Sequence, residues 1–352
     1  MIRRGYCPLY LTTEEVMKYL RFFLFMFTIN SAYANFSCEY DSYAFSHDEK
    51  KLYTSVCGDG LDGSAYYKCG IGILDIATGK TKKIKSNHID FGYEGDNKKF
   101  ILNVIEASRQ DDIIYFTAFA HFDNDIFIEN VYRFDINSHK AELLFSANTN
   151  IGSLIESPEL GNKLYINVYN HFSSKNKTTY PKNVIIKLDP NNPKDSQEVI
   201  LDDLTSKSLL AIDRERAYVW MVFKPEHIHY ENAYYTRLPI DEVNELNKLT
   251  INGQSIEFFS LNISNSQRVV YSTRSSDYKT IKLYLNENGN VEQIHELNHF
   301  MFPPAISKRG NKLVFIAEDD SGFQKFHIMD LNTRKIQSFL KNQVYMNCSN
   351  IY

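Results

Sequence analysis

Residues 44–84 (AFSHDEKKLYTSVCGDGLDGSAYYKCGIGILDIATGKTKKI) and residues 305–339 (AISKRGNKLVFIAEDDSGFQKFHIMDLNTRKIQSF) follow one plan. Each reads as a short strand, a turn, an apolar strand, a polar connection, a strand ending in Asp, a tight turn and a closing strand. Two copies at opposite ends of a 352-residue chain, with weaker ones between, require a repeat architecture in which neighbouring units bury each other's faces. Six units follow, with central apolar strands at 51–57, 113–120, 163–169, 217–223, 268–273 and 312–317. Second strands lead into short turns at 73–76, 131–136, 184–189, 234–238, 281–285 and 326–331. The units average about 53 residues, within the range of a four-stranded propeller blade with long loops. Strands at this spacing, with turn residues between them, predict an all-β, six-bladed β-propeller in one domain. One stretch departs from the pattern. Residues 239–249 (PIDEVNELNKL) place Val243, Leu246 and Leu249 at helical spacing behind a Pro and early acids, which predicts a short helix inserted in the fourth blade.

The first 34 residues belong outside this domain. From Met17, Lys18 and Arg21 precede the apolar run 22–29, and Ala32-Tyr33-Ala34 supplies a small-residue cleavage pattern. Residues 1–34 are therefore expected to be an upstream extension plus a signal peptide cleaved after Ala34, leaving residues 35–352 as an exported propeller, periplasmic or secreted. The run falls short of the roughly 20 apolar residues that span a bilayer, so no membrane span is expected in the mature chain. A formal charge of −4 gives no electrostatic reason to expect nucleic acid as a partner. Cysteine use agrees with export. Cys7 precedes the signal, and the other four allow three pairings. Cys57 ends a strand and Cys69 begins the next, whereas Cys38 and Cys348 lie at the two ends that a closed ring brings together. The propeller reading thus selects Cys38–Cys348 and Cys57–Cys69, against the alternative of four buried free thiols.

The repeats resemble the TolB-type, WD40-like (PD40) propeller repeat, whose pattern runs approximately SPDGKxLxFxS…G…IYxxDxxTGxxxxLT. The residues that carry the resemblance are Phe45-Ser46-His47-Asp48-Glu49-Lys50-Lys51-Leu52-Tyr53 and Leu74-Asp75-Ile76-Ala77-Thr78-Gly79-Lys80. Residues 306–315 and Met329-Asp330-Leu331-Asn332-Thr333 match as well, and Ser157-Pro158-Glu159 with Asn162-Lys163-Leu164-Tyr165 matches in part. The resemblance implies a six-bladed propeller of the bacterial envelope, with a protein or peptide of that envelope as partner. It brings no catalytic residues and calls for no cofactor. Similar propellers also occur in prolyl-oligopeptidase-type enzymes, but the sequence has no G-x-S-x-G nucleophile elbow.

Within each unit the connection before the last two strands is the long and variable one: 58–68, 121–129, 170–182, 224–233, 274–279 and 318–324. Loops on a rigid scaffold are where recognition sits. The candidate ligand or partner face is therefore Asp59, Asp62, His121, Asp123, Asp125, His171, His227, Tyr230 and Asp320. Asp123-Asn124-Asp125 opens like a calcium loop but has Phe127 where a ligand is needed. His227 and His229 could share a metal on an extended segment, although the sequence identifies no further ligands.

The rival reading is a zinc-dependent hydrolase built on His295-Glu296-Leu297-Asn298-His299. On a helix, this H-E-x-x-H spacing puts His295 and His299 one turn apart as zinc ligands, with Glu296 as the base for a bound water. The stretch fills the closing-strand slot of the fifth unit, however, and on a strand residues four apart lie about 13 Å apart. The favoured reading is a non-catalytic propeller without cofactor or metal that binds through its long-loop face.

Overall fold

A computed structural model describes residues 42–56, 70–85, 88–91, 100–121, 127–147, 150–157, 161–170, 182–203, 207–213, 218–223, 234–239, 258–264, 268–274, 280–297, 301–318 and 324–340. These residues form antiparallel sheets, each built from strands consecutive in the chain. The first holds β1 (Tyr43–Phe45), β2 (Lys51–Val56), β3 (Gly70–Asp75) and β4 (Thr81–Lys85). The second holds β5 (Phe100–Ala107), β6 (Ile113–His121), β7 (Phe127–Asp135) and β8 (Lys140–Ala147). The third holds β9 (Asn150–Ser157), β10 (Lys163–Asn170), β11 (Lys182–Leu188) and β12 (Glu198–Asp203). A three-stranded sheet follows, of β13 (Lys207–Asp213), β14 (Tyr218–Phe223) and β15 (Tyr234–Pro239). Two four-stranded sheets complete the set: β16 (Phe258–Ile263), β17 (Val269–Arg274), β18 (Ile281–Glu287) and β19 (Asn290–Leu297), then β20 (Met301–Ile306), β21 (Lys312–Glu318), β22 (Gln324–Asp330) and β23 (Ile336–Leu340). The first strand of each sheet touches the first strand of the next, from β1 through β5, β9, β13, β16 and β20 and back to β1. The fold is a β-propeller.

Two sequence expectations are corrected or limited here. Six four-stranded blades were expected, and the described residues form five, with the β13–β15 sheet carrying three strands. The central strand of that sheet, YVWMVF, is as apolar as the others, so its sequence reads as an ordinary blade even where the ladder is one strand short. The expected helix at 239–249 lies outside the described residues except for Pro239, which ends β15 opposite Tyr218. Among the described residues there is no α-helix, and none long and apolar enough to cross a membrane. Residues 1–41 and all five cysteines lie outside the description.

The apolar runs follow from packing on both faces. In β6, Ile114, Phe116 and Ala118 join Tyr53, Ile71 and Ile84 of the first blade in one core. The intervening Tyr115 joins Leu154, Leu164 and Ile166 of the third blade in another. A strand buried on both faces loses the polar–apolar alternation of a half-exposed one, which is why IIYFTAF is continuous. The ring is sealed in the same way. Tyr43, Phe45, Leu52 and Leu74 pack with Val314, Ile316, Phe326 and Ile328 of the last blade. Among the described residues, no strand is exchanged between the first and last blades.

Two turns recur, each from a side chain bonding its own backbone. Between first and second strands a Ser holds the hairpin: Ser46 N–H donates to the Lys51 carbonyl, and the Lys51 N–H donates back to Ser46 Oγ at 2.9 Å. Ser307 repeats this with Lys312, and Ser264 with Arg268. Between third and fourth strands an Asp does the equivalent. Asp75 Oδ1 accepts from the Thr78 N–H and hydroxyl at 2.8 and 2.7 Å. Asp330 repeats both bonds with Thr333, and Asp135 accepts from the N–H groups of Asn137 and Ser138. These are Asx-type turns, the physical content of the D-x-x-T-G signature.

Candidate functional site

An up-and-down sheet puts its first-to-second and third-to-fourth turns on one side and its second-to-third connections on the other. On the short-turn side, the first-to-second turns surround the ring axis, because the first strands are innermost. A buried charged cluster sits there. Lys308, in the turn between β20 and β21, reaches Glu106 Oε1 at 3.2 Å and Glu156 Oε2 at 3.1 Å. Glu106 lies in β5 and Glu156 in β9, so one side chain from the last blade ties together the second and third. All three residues are buried, at 5%, 7% and 4% exposure. Lys308 Nζ also donates to the Ala107 carbonyl. Glu156 further accepts from Ser108 Oγ at 2.7 Å, the Arg109 N–H at 2.6 Å and Tyr115 Oη at 3.3 Å, and its own N–H donates to Glu106. Burial on its own would raise the Glu156 pKa. The charge of Lys308 and these donors outweigh it, and the carboxyl is held below its ordinary value.

Beside the cluster is a cavity of ≈ 160 Å³ between the first and second blades, lined by Ser46, His47, Asp48, Lys51, Tyr53, Ser108, Gln110, Asp111 and Asp112. Lys51 Nζ bonds Asp112 Oδ1 across it at 2.8 Å. Asp48 accepts from Ser46 Oγ at 2.7 Å and pairs with Lys50. His47 Nδ1 is buried without a hydrogen-bond partner. Burial, and then the charges of Arg309, Lys308 and Arg109, lower the His47 pKa below its ordinary value.

The sequence-predicted residues fall elsewhere. Asp59, Asp62, Asp123, Asp125, His171, His227, His229, Tyr230, His299 and Asp320 lie outside the described residues, as do Cys38, Cys57, Cys69 and Cys348. His121 closes β6, with only its backbone described. His295 and Glu296 lie on β19, a strand and not the helix that the zinc-hydrolase reading requires. His295 is opposite Leu283 and Glu296 opposite Lys282, so the two side chains leave opposite faces of the sheet. The His295 ring packs 5.4 Å from that of Phe315, and burial lowers its pKa. Glu296 accepts from Gln293 at 2.9 Å and lies 3.8 Å from Lys282. Among the described residues, no three His, Cys, Asp or Glu side chains are grouped to hold a metal ion.

The axial residues were missed because 106, 156 and 308 meet only when the ring closes. One signal was present. The residue after the turn Ser, Pro in the repeat pattern, is His47, Arg109 and Lys308 in three units.

No protein-family model matches the chain, and no curated protein matches it. Solved structures do. The acylaminoacyl peptidase of Pyrococcus horikoshii is similar over 86% of this chain and 46% of its own, at 12% identity and a TM-score of 0.54. An oligogalacturonate lyase of Vibrio parahaemolyticus is similar over 88% of this chain and 80% of its own, at 14% identity and a TM-score of 0.50. TolB of Acinetobacter baumannii matches over 83% of this chain and 69% of its own, at 14% identity and a TM-score of 0.47. The chain thus spans about half the length of the peptidase. At these identities the likeness is one of fold.

Proposed function

We propose that this chain is an exported, non-catalytic propeller of TolB-type repeats that binds a protein or peptide of the cell envelope on its long-connection face. The observation that supports this reading is the contrast between the two sides of the ring. On the short-turn side, the turns bond to themselves and the axis is filled by Lys308, Glu106 and Glu156. The other side carries connections that differ in length from blade to blade, from the short Glu318-to-Gln324 link to the long Val56-to-Gly70 one. A rigid frame with one variable face is suited to recognition. Asp59, Asp62, His121, Asp123, Asp125, His171, His227, Tyr230 and Asp320 are the residues assigned to that face.

The three-stranded β13–β15 sheet is read as a sixth blade. Residues 17–34 are read as the export signal. The register supports one disulfide: Val56 lies opposite Gly70, and the same ladder carried one step on would set Cys57 opposite Cys69, at the separation a disulfide needs. Cys38–Cys348 is assigned as the second bond. Peptide mapping under non-reducing conditions tests both.

The binding reading is tested by replacing residues 171–181 with Asn-Gly and, separately, by removing residues 122–126. Capture of a partner from envelope extract should be lost in at least one shortened ring while its Tm stays at the wild-type value. Undiminished capture of the same partner by both rings would overturn the assignment of that face.

A further inference from the structure

We propose that the axial mouth of the short-turn side is a second site, which binds one compact anionic group, a carboxylate or a phosphate, between Arg109, Arg309 and His47. The three residues come from equivalent places. His47 and Arg109 directly follow the turn serines of the first and second blades, and Arg309 stands one residue further on in the last blade. Of the inner strands of those blades, β1 touches both β5 and β20 at the axis. Ring closure therefore brings together turns from three distant parts of the chain.

Three observations point to an anion. First, the other arginines whose side chains are described, Arg133, Arg268 and Arg334, all have partners. Arg133 bonds Gln110 and pairs with Glu142, Arg268 bonds Glu287 and the Gly310 carbonyl, and Arg334 pairs with Glu292. Arg109 and Arg309 are exposed, and among the described residues neither side chain makes a hydrogen bond or ion pair. Second, His47 Nδ1 is buried without a partner, and a buried polar atom left unpaired calls for a ligand or a water. Third, Lys308 is occupied by Glu106 and Glu156, so the available donors are the two guanidinium groups and the imidazole.

The adjoining cavity of ≈ 160 Å³ limits the ligand to a small group. Its acids Asp48 and Asp112 are engaged by Ser46 and Lys51, and the exposed Asp111 at the rim opposes a polyanion. An anion beside His47 favours the imidazolium. The groups facing this ring are Arg309, Lys308, Arg109 and Glu156, with Asp48 and Asp111 lining the cavity. Binding should therefore strengthen as pH falls below the ordinary histidine value of 6.5.

The test is a titration of the histidine-labelled full chain, followed through the His47 ring resonances by NMR at constant ionic strength. The probes are N-acetylglycine as carboxylate and inorganic phosphate. A saturable shift at His47 with at least one probe is expected, and the probe that saturates identifies the anion. In the Arg109→Gln/Arg309→Gln double variant affinity should fall about tenfold or more, with Tm unchanged because both side chains are exposed. His47→Asn should weaken the pH dependence. Linear, non-saturating shifts with both probes, or saturation untouched by the double substitution, would overturn the site.

Discussion

Lys308 satisfies two buried carboxylates at once, and its removal should be correspondingly costly. Lys308→Met keeps the aliphatic stem but leaves Glu106 and Glu156 facing each other at the axis without a cation. Breaking a buried pair in this way typically costs about 3–5 kcal/mol. We expect a clear loss in thermal unfolding at pH 7, partly recovered when Glu106→Gln and Glu156→Gln are added. Lys83 is the opposite case. Its Nζ is buried without a partner, its stem lies over Gly70, and burial pushes its pKa down to about 8. Between pH 8 and the ordinary value of 10.5, the unfolded chain holds a proton that the folded chain has released, so stability rises with pH across that window. Below about pH 8 the folded chain carries the buried charge in full. Lys83→Met should raise stability at pH 7 and flatten the rise between pH 8 and 10.5, as read from urea unfolding at several pH values.

The turns between third and fourth strands show how a short motif becomes an element. The Asp carboxylates of these turns have lowered pKa values: hydrogen bonds from Thr78 lower Asp75, the Ser138 N–H lowers Asp135, and the bond from Lys163 lowers Asp189. At Asp330 burial acts upward and the bonds from Thr333 and Asn332 prevail. A lowered carboxylate stabilises the fold above the ordinary value of 3.8 and loses that contribution as pH falls through the folded-state pKa. The four turns should therefore give way together in acid, and Asp330→Asn should move the acid unfolding midpoint to higher pH. The residue four after the Asp is left-handed: Gly79 at φ 68°, His139 at 59° and Arg334 at 60°. Gly79→Ala should cost about 1–2 kcal/mol, seen as a lower urea midpoint, because an L-residue strains there and its Cβ would stand 3.4 Å from the Phe339 ring.

This level was the legible one. The apolar runs, the turn Ser and the Asp motif are local and fall in or beside β2, β6, β10, β14, β17 and β21, where the sequence placed the central strands. The β19 setting of His295 was also local, since the Asn288–Gly289 turn starts that strand. What depends on closure was hidden. Glu106, Glu156 and Lys308 are far apart in sequence, and nothing in the spacing of one repeat says which other repeat faces it across the axis.

At the scale of the whole molecule, the ring holds by side chains at its seam. Ser307 Oγ donates to Glu49 Oε1 at 2.6 Å, and Asn311 donates to Glu49 Oε2 at 3.3 Å. Together with the Tyr43–Phe326 edge contact and the apolar residues around it, these bonds stand where many rings would share a strand. Glu49→Ala should cost about 1–3 kcal/mol by taking the acceptor from the buried Ser307 hydroxyl proton. Hydrogen exchange should then quicken in the first and last blades ahead of the second and third. Equal acceleration in all blades would mean that the ring opens as one unit.

A ring whose described sheets are each cut from one uninterrupted stretch has a consequence for its history. Duplicating or deleting one unit in the gene would leave every hydrogen-bonded ladder intact and would disturb only the interfaces on either side of the change. Such a chain is free to change its blade number by whole steps, and the Glu49 seam is where a new neighbour would first have to fit.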